Sequence, residues 1–153
     1  MNTAHAPLPG TERQLDRLLA HYGDSHRNPT NELIHFIAIP AILLSIVGLL
    51  YALHPWVAYA FVASSLVYYA MLRSTVLWVT MALGTVVVLA AVRGLGAQLV
   101  PVCAAVFVVA WIFQFIGHKI EGRKPSFFED IQYLWVGPLF VVTRIYDRLG
   151  VRW

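Results

Sequence analysis

Charge is what this 153-residue chain has least of: Asp, Glu, Lys and Arg make up 12% of it, while 59% is hydrophobic. An average soluble domain is about 25% charged. The scarcity is also uneven. Between Leu33 and Gly117 the only charged side chains are Arg73 and Arg93, and all eight acidic residues lie outside that stretch. A soluble core of this size needs charged outer faces on its helices, so a run this bare is read as membrane-embedded. Cysteine is nearly absent as well. Cys103 is the only one, which excludes a disulfide framework and a CxxC-type thiolate site; inside an apolar run it reads as a small buried hydrophobe. The first thirty residues lack the basic start, apolar middle and small-residue cleavage site of a secretory signal, so the N-terminus is expected to stay on the side where it is made. HExxH, GxSxG, a Walker loop and a strand-associated GxGxxG are all missing, as are the closely spaced histidine pairs of membrane desaturases.

What is present falls into pieces of spanning length. A membrane helix needs about 17–25 apolar residues, and the punctuation at His54-Pro55, at Arg73-Ser74-Thr75 and from Arg93 to Gln98 predicts four spans, at 33–53, 56–72, 75–92 and 99–117. Short connections imply antiparallel neighbours. The expected fold is therefore an all-α polytopic membrane bundle, one domain over 1–153, with 1–32 holding a surface helix and a histidine-containing loop, 33–117 the four spans, and 118–153 a polar loop and an interfacial segment. In Glu12 to Tyr22 the residues Leu15, Leu18, Leu19 and Tyr22 recur at helical spacing opposite Arg13, Gln14, Asp16 and Arg17, which predicts a helix lying on the membrane surface. Ile131 to Val142 is apolar but short and is interrupted by Gly137-Pro138, so an interfacial or re-entrant segment is expected, followed by a juxtamembrane anchor from Thr143 to Trp153.

Orientation follows from the basic residues. With four spans, both termini and the Arg73 turn share one side, which then carries every Lys and Arg except Arg93; that side is expected to be cytoplasmic. The formal charge of +3 suits anionic headgroups of a lipid bilayer better than nucleic acid, because no basic patch with aromatic platforms accompanies it. Alanine, valine and arginine usage is bacterial in character and points to an inner (plasma) membrane, although an endoplasmic reticulum homologue would read the same. A homo-oligomer is compatible with this pattern. Trp56, Tyr59, Tyr68, Tyr69, Trp78, Trp111, Trp135 and Trp153 lie largely near span ends, as an aromatic belt or as the lining of an acyl channel.

Three of the six histidines stand out. In SHRNPTNELIHFIAIP, Asn28 or Thr30 can cap a helix, Pro29 suits its first turn, and Asn31 and His35 share a face at i, i+4. His26 precedes the cap in a loop that can fold back over that face. His118 stands 83 residues after His35, and an even number of spans between them returns both to one membrane boundary. Gln114, His118 and Glu121 form a stripe on the last span. Three imidazoles and a carboxylate in a partly hydrated position make a candidate divalent-metal site for Fe(II), Zn or Mn, with cluster iron excluded by the lack of thiolates. Taken singly, each histidine also reads as a headgroup or backbone hydrogen-bonding residue, Glu121 as an ion pair with Arg123 or Lys124, and Asn31 as a cap. His5 belongs to the N-terminal tail, His54 to a turn on the opposite side, and His21 ends the surface helix, from which it could approach His26. Arg73 reads as a positive-inside anchor, or, with Arg123, as a holder of a substrate carboxylate.

The block His26-Arg27-Asn28-Pro29-Thr30-Asn31-Glu32-Leu33-Ile34-His35 with Pro40, and the block Trp111 to His118 with Glu121, Arg123 and Pro125, resemble the Mpo-like family, small membrane proteins named for the metabolism of phytosphingosine to odd-numbered fatty acids. The resemblance extends over nearly the whole chain in span layout. It implies an Fe(2+)-dependent dioxygenase that takes a 2-hydroxy long-chain fatty acid and O2 through alpha-oxidation to an acid one carbon shorter. It maps H-x4-N-x3-H onto His26, Asn31 and His35, and Q-x2-G-H onto Gln114, Gly117 and His118, with the three histidines as iron ligands. The family spaces its acidic residue four after the last histidine, whereas Glu121 is three after His118. That leaves Glu121, with His21, Asn31 and Gln114, as a fourth ligand or as a group orienting a ligand. Two competing classes are a lipid-binding protein or small transporter without chemistry, which needs polar residues near the bilayer midplane, and a zinc-dependent membrane hydrolase using the same histidines.

Overall fold

The computed structural model describes residues 13–125 and 131–153. Its elements are α1 (Gln14–Asp24), α2 (Pro29–Leu53), α3 (Pro55–Met71), α4 (Thr75–Gly94), a 3-10 turn (Gly96–Gln98), α5 (Leu99–Glu121) and α6 (Tyr133–Leu149). No strand occurs among the described residues, in agreement with the all-α expectation. Each of the four segments expected to span folds as one helix. Pro29–Leu53, Thr75–Gly94 and Gly96–Glu121 are long and apolar enough to cross a membrane. The remaining one, α3, has 17 residues and, at 1.5 Å per residue, is about 25 Å long against a hydrocarbon core of about 30 Å.

α2 is the hub, packed by α3, α4, α5 and α6. Its start is fixed as its sequence suggests: Asn28 is the N-cap, its side chain accepting from the Thr30 N–H at 2.9 Å, and Pro29 occupies the first turn. α5 ends on Gly122, whose φ of 72° is a left-handed cap suited to glycine. The two helices approach closely because small residues line their seam. A Cβ on Gly48 would overlap the Cys103 sulfur, and one on Gly117 would overlap the Asn31 side-chain oxygen. Without a hydrophobic force between helices in lipid, such close packing is what holds a pair together.

Two terminal expectations change. The apolar stripe of α1 is not left for a membrane surface: Leu15, Leu19 and Tyr22 are buried in one cluster with Tyr133, Val136, Leu139 and Phe140 of α6. Its partner is α6, which runs unbroken through Gly137-Pro138 and joins the expected interfacial piece and the expected anchor into one helix. Gly137 is the reason the helix fits there, since a Cβ would sit 3.2 Å from the Tyr22 hydroxyl and 3.3 Å from Ile39. Pro138 removes one backbone donor, facing the Leu134 carbonyl, without ending the helix. Glu12 and His5 lie outside the described residues.

Candidate metal centre

His26, His35 and His118 come together. Their ring centroids are 4.1, 5.2 and 4.7 Å apart for the pairs 26–35, 26–118 and 35–118, all three residues are buried, and one nitrogen from each lies within 4.8 Å of the others. For His26 and His35 the backbone decides which nitrogens those are. His35 Nδ1 is 2.8 Å from the Asn31 carbonyl and His26 Nδ1 is 2.6 Å from the Tyr22 carbonyl. A carbonyl only accepts, so both Nδ1 atoms carry the hydrogen and both Nε2 atoms present a lone pair. This is how metal-ligating histidines are usually held, with the far N–H spent on a carbonyl or carboxylate.

The remaining contacts test whether a metal fits. His35 Nε2 lies 3.1 Å from His118 Nε2, and His26 Nε2 is buried without a partner among the described residues. A proton on His118 Nε2 could satisfy His35, leaving His26 desolvated and unpaired at a cost of about 1–3 kcal/mol. One cation satisfies all three nitrogens. Burial holds the His26 ring below the ordinary imidazole pKa, with the Arg144 charge acting in the same direction and the Tyr22 carbonyl and Glu121 opposing it. The ring is thus neutral near pH 7, as a ligand must be.

His26 belongs to no regular element and is held by its neighbours. Its ring stacks on Tyr22, with centroids 4.3 Å apart and planes at 12°, and it meets Phe140 of α6 at 5.3 Å. Burial also pushes the Tyr22 phenol up, so it stays protonated. The loop beyond it is held by Glu121, whose carboxylate accepts from the backbone N–H groups of Arg27 (3.0 Å) and Asn28 (2.9 Å) and from the Asn31 amide (3.1 Å). Two of those donors immediately precede α2, where the helix dipole favours a negative charge. The Asn31 amide also donates to the Ser25 carbonyl at 2.9 Å, so α2 and α5 jointly fasten the loop that carries His26.

The other expected residues are distributed as follows. Gln114 is buried and lines, with His118, a small cavity of about 40 Å³ whose walls include Tyr22, Trp111, Tyr133 and Pro138. His21 stacks on Tyr133 at 5.3 Å, outside the three-nitrogen cluster. Arg73 is exposed in the α3–α4 turn with a φ of 58°, and Arg123 is exposed just past α5; neither lines the cavity. Sequence reasoning passed over Tyr22 and Phe140. The signal for Tyr22 was available: Tyr22 precedes His26 by four residues as Asn31 precedes His35, and in both cases the i−4 carbonyl fixes the tautomer.

Gly117 is where this arrangement is least tolerant. Gly117→Ala drives a methyl into the Asn31 oxygen, and overpacking of this kind costs about 1–3 kcal/mol. Thermal unfolding in detergent is expected to shift to lower temperature, because Asn31 and Glu121 hold the loop together.

Fold and site define a class: an all-helical protein with three helices of membrane-spanning character and a buried three-histidine cluster that can hold a metal ion. Comparison narrows the class. A family profile described as "2-hydroxy-palmitic acid dioxygenase Mpo1-like" matches residues 13–149, and the chain belongs to this Mpo1-like family. The 2-hydroxy-palmitic acid dioxygenase MPO1 of Saccharomyces cerevisiae is 29% identical over 138 residues, covering 86% of this chain and 79% of the yeast protein. No solved structure matches.

Proposed function

We propose that this protein is an integral-membrane dioxygenase that uses Fe(2+) and O2 to convert 2-hydroxy long-chain fatty acids to acids one carbon shorter. The observation that carries this reading is the set of three converging imidazole nitrogens, two of them fixed as lone-pair donors by backbone carbonyls, in a chain of the Mpo1-like family. His26, His35 and His118 are the ligands. Iron bound there would supply the redox chemistry and an anchor for a hydroxy acid, which chelates through its hydroxyl and one carboxylate oxygen.

The chain's own residues do the rest. The Tyr22 and Asn31 carbonyls keep His26 and His35 in the ligating tautomer. Glu121 acts as a positioning group, not as a ligand, because both its oxygens are committed to the loop; the Asn31 amide nitrogen positions the same loop, while its side-chain oxygen, buried against Gly117, has no hydrogen-bond partner among the described residues. Ile39, Ile42, Leu43 and Trp111 form the apolar side of the cavity, keeping bulk water from the reacting carbons. The substrate head thus meets the metal at the membrane boundary while the tail stays in an apolar medium.

In this reading α2, α3, α4 and α5 all cross, α3 at the lower length limit, with both termini and the histidine centre at the cytoplasmic face of a bacterial plasma membrane. A transport function is disfavoured by the midspan hydroxyls. Ser45, Ser64, Ser65 and Thr80 each donate to a carbonyl of their own helix, so none of them is a vacant polar station along a path.

Anaerobic purification followed by metal analysis, with oxygen uptake on adding 2-hydroxypalmitate, tests the proposal. Iron content together with substrate-dependent uptake is expected; a zinc-loaded protein without uptake favours the hydrolase. Arg73 and Arg123, exposed on the expected cytoplasmic side, are proposed to draw in the substrate carboxylate. Arg123→Ala and Arg73→Ala should each raise KM a few-fold with kcat unchanged, and unaltered kinetics would remove them from this role.

A further inference from the structure

Gln114 projects from α5 one turn before His118 and is only 8% exposed. Its side-chain oxygen is buried and has no donor among the described residues, although buried amide oxygens are nearly always paired. The same residue lines the cavity beside His118. The other side chains on that wall with polar atoms are His118, Tyr22, Tyr133 and Trp111 through its indole N–H, the remainder is apolar, and no Lys or Arg of the described residues contributes. At about 40 Å³ the space takes a few water-sized groups, which is the scale of a polar head and far below that of an acyl chain. An unpaired acceptor on a residue that lines a small cavity next to the three imidazoles calls for a ligand that brings a donor.

We propose that Gln114 reads the 2-hydroxyl group of the substrate, its Oε1 accepting the hydroxyl hydrogen; this rests on the 2-hydroxy fatty acid reading above. At neutral pH the carboxylate of such an acid only accepts, and the hydroxyl is its sole O–H donor. An unsubstituted fatty acid brings no donor, so its head sets acceptor against acceptor at Oε1. Sites built to pair a substrate hydroxyl reject the analogue that lacks it far more strongly than sites that discriminate by size. Gln114 is thereby a specificity-determining residue, separate from the three nitrogens that hold the metal.

The test uses full-length protein in detergent, loaded with Fe(2+) and kept anaerobic so that no turnover occurs. Binding of 2-hydroxypalmitate and of palmitate is followed by tryptophan fluorescence, since Trp111 shares the cavity wall. Wild type is expected to prefer the hydroxy acid by about 10- to 100-fold. Gln114→Leu should lower that ratio several-fold, leaving the part that chelation of the iron by the hydroxyl supplies, with iron content and palmitate affinity unchanged, and under air it should raise KM for 2-hydroxypalmitate. Gln114→Glu keeps an acceptor but adds a negative charge, so it should bind both acids more weakly while retaining the preference. A wild-type ratio near one, a Gln114→Leu variant whose ratio equals that of the wild type or that loses iron, or a Gln114→Glu variant without preference overturns the assignment. Failure of the wild type to oxidise 2-hydroxypalmitate in air would instead remove the functional reading itself, so the two failures are distinguishable.

Discussion

Substituting alanine for His35 is expected to abolish iron binding and turnover together, with no rescue by excess iron. His35 is 0% exposed, and its ring touches both other imidazoles. Its Nδ1–H is spent on the Asn31 carbonyl, so its Nε2 has no function in the free protein except toward His118 or a cation. Removal takes away one of three nitrogen donors and leaves a hole lined by two imidazoles with no charge to neutralise. Losing even an outer partner of a metal ligand typically costs about 10–100-fold in affinity, and losing the ligand itself should exceed that, to more than 100-fold. The measurement is iron per chain in anaerobically purified protein beside oxygen uptake with 2-hydroxypalmitate. Wild-type iron content in His35→Ala would show that the imidazoles pack without ligating.

Glu121→Ala is expected to behave differently in kind. Its carboxylate accepts three hydrogen bonds that fasten the loop carrying His26 to α5. Without it, two backbone N–H groups ahead of α2 and the Asn31 amide lose an acceptor, while all three Nε2 donors remain. Iron affinity should fall about 10–100-fold, and saturating iron should restore turnover, because the ligands are intact and only their pre-organisation is lost. Glu121→Gln, which retains an acceptor oxygen but gives up the charge at the helix N-terminus, should fall between the two. Iron titrations of activity separate the outcomes: a shifted midpoint with a recovered plateau is expected of a positioning residue, and a lost plateau would make Glu121 a ligand.

These two residues illustrate how unevenly the site was legible in the sequence. His35 was readable because its context is local: Asn28 and Pro29 fix the start of α2, and helical spacing then sets which face His35 occupies. Its meeting with His118 followed from counting spans, since helix direction alternates. Glu121 was readable as part of the site but not in its role. Three-residue and four-residue spacings share a face, and only the packing of α5 on α2 aims the carboxylate at the N–H groups ahead of α2. The fold shows the same division. Apolar length marked α2 to α5, whereas α1 alone reads as a surface helix because it is amphipathic, and the stretch of α6 reads as a short interfacial or re-entrant piece followed by an anchor. Their mutual burial, with Gly137 against Tyr22, is a tertiary pairing that no single segment encodes. The cavity beside Gln114 depends on that pairing, so the unpaired amide oxygen was beyond the reach of periodicity.

The central claim is that His26, His35 and His118 hold one metal ion per chain. It is tested most directly by titrating Fe(2+) anaerobically into metal-free full-length protein by calorimetry, beside a His26→Ala/His35→Ala/His118→Ala variant of unchanged helix content. One iron per wild-type chain and none in the variant is the expected result. A wild type that takes up no iron, or a triple variant that still binds one ion with wild-type affinity, would contradict it.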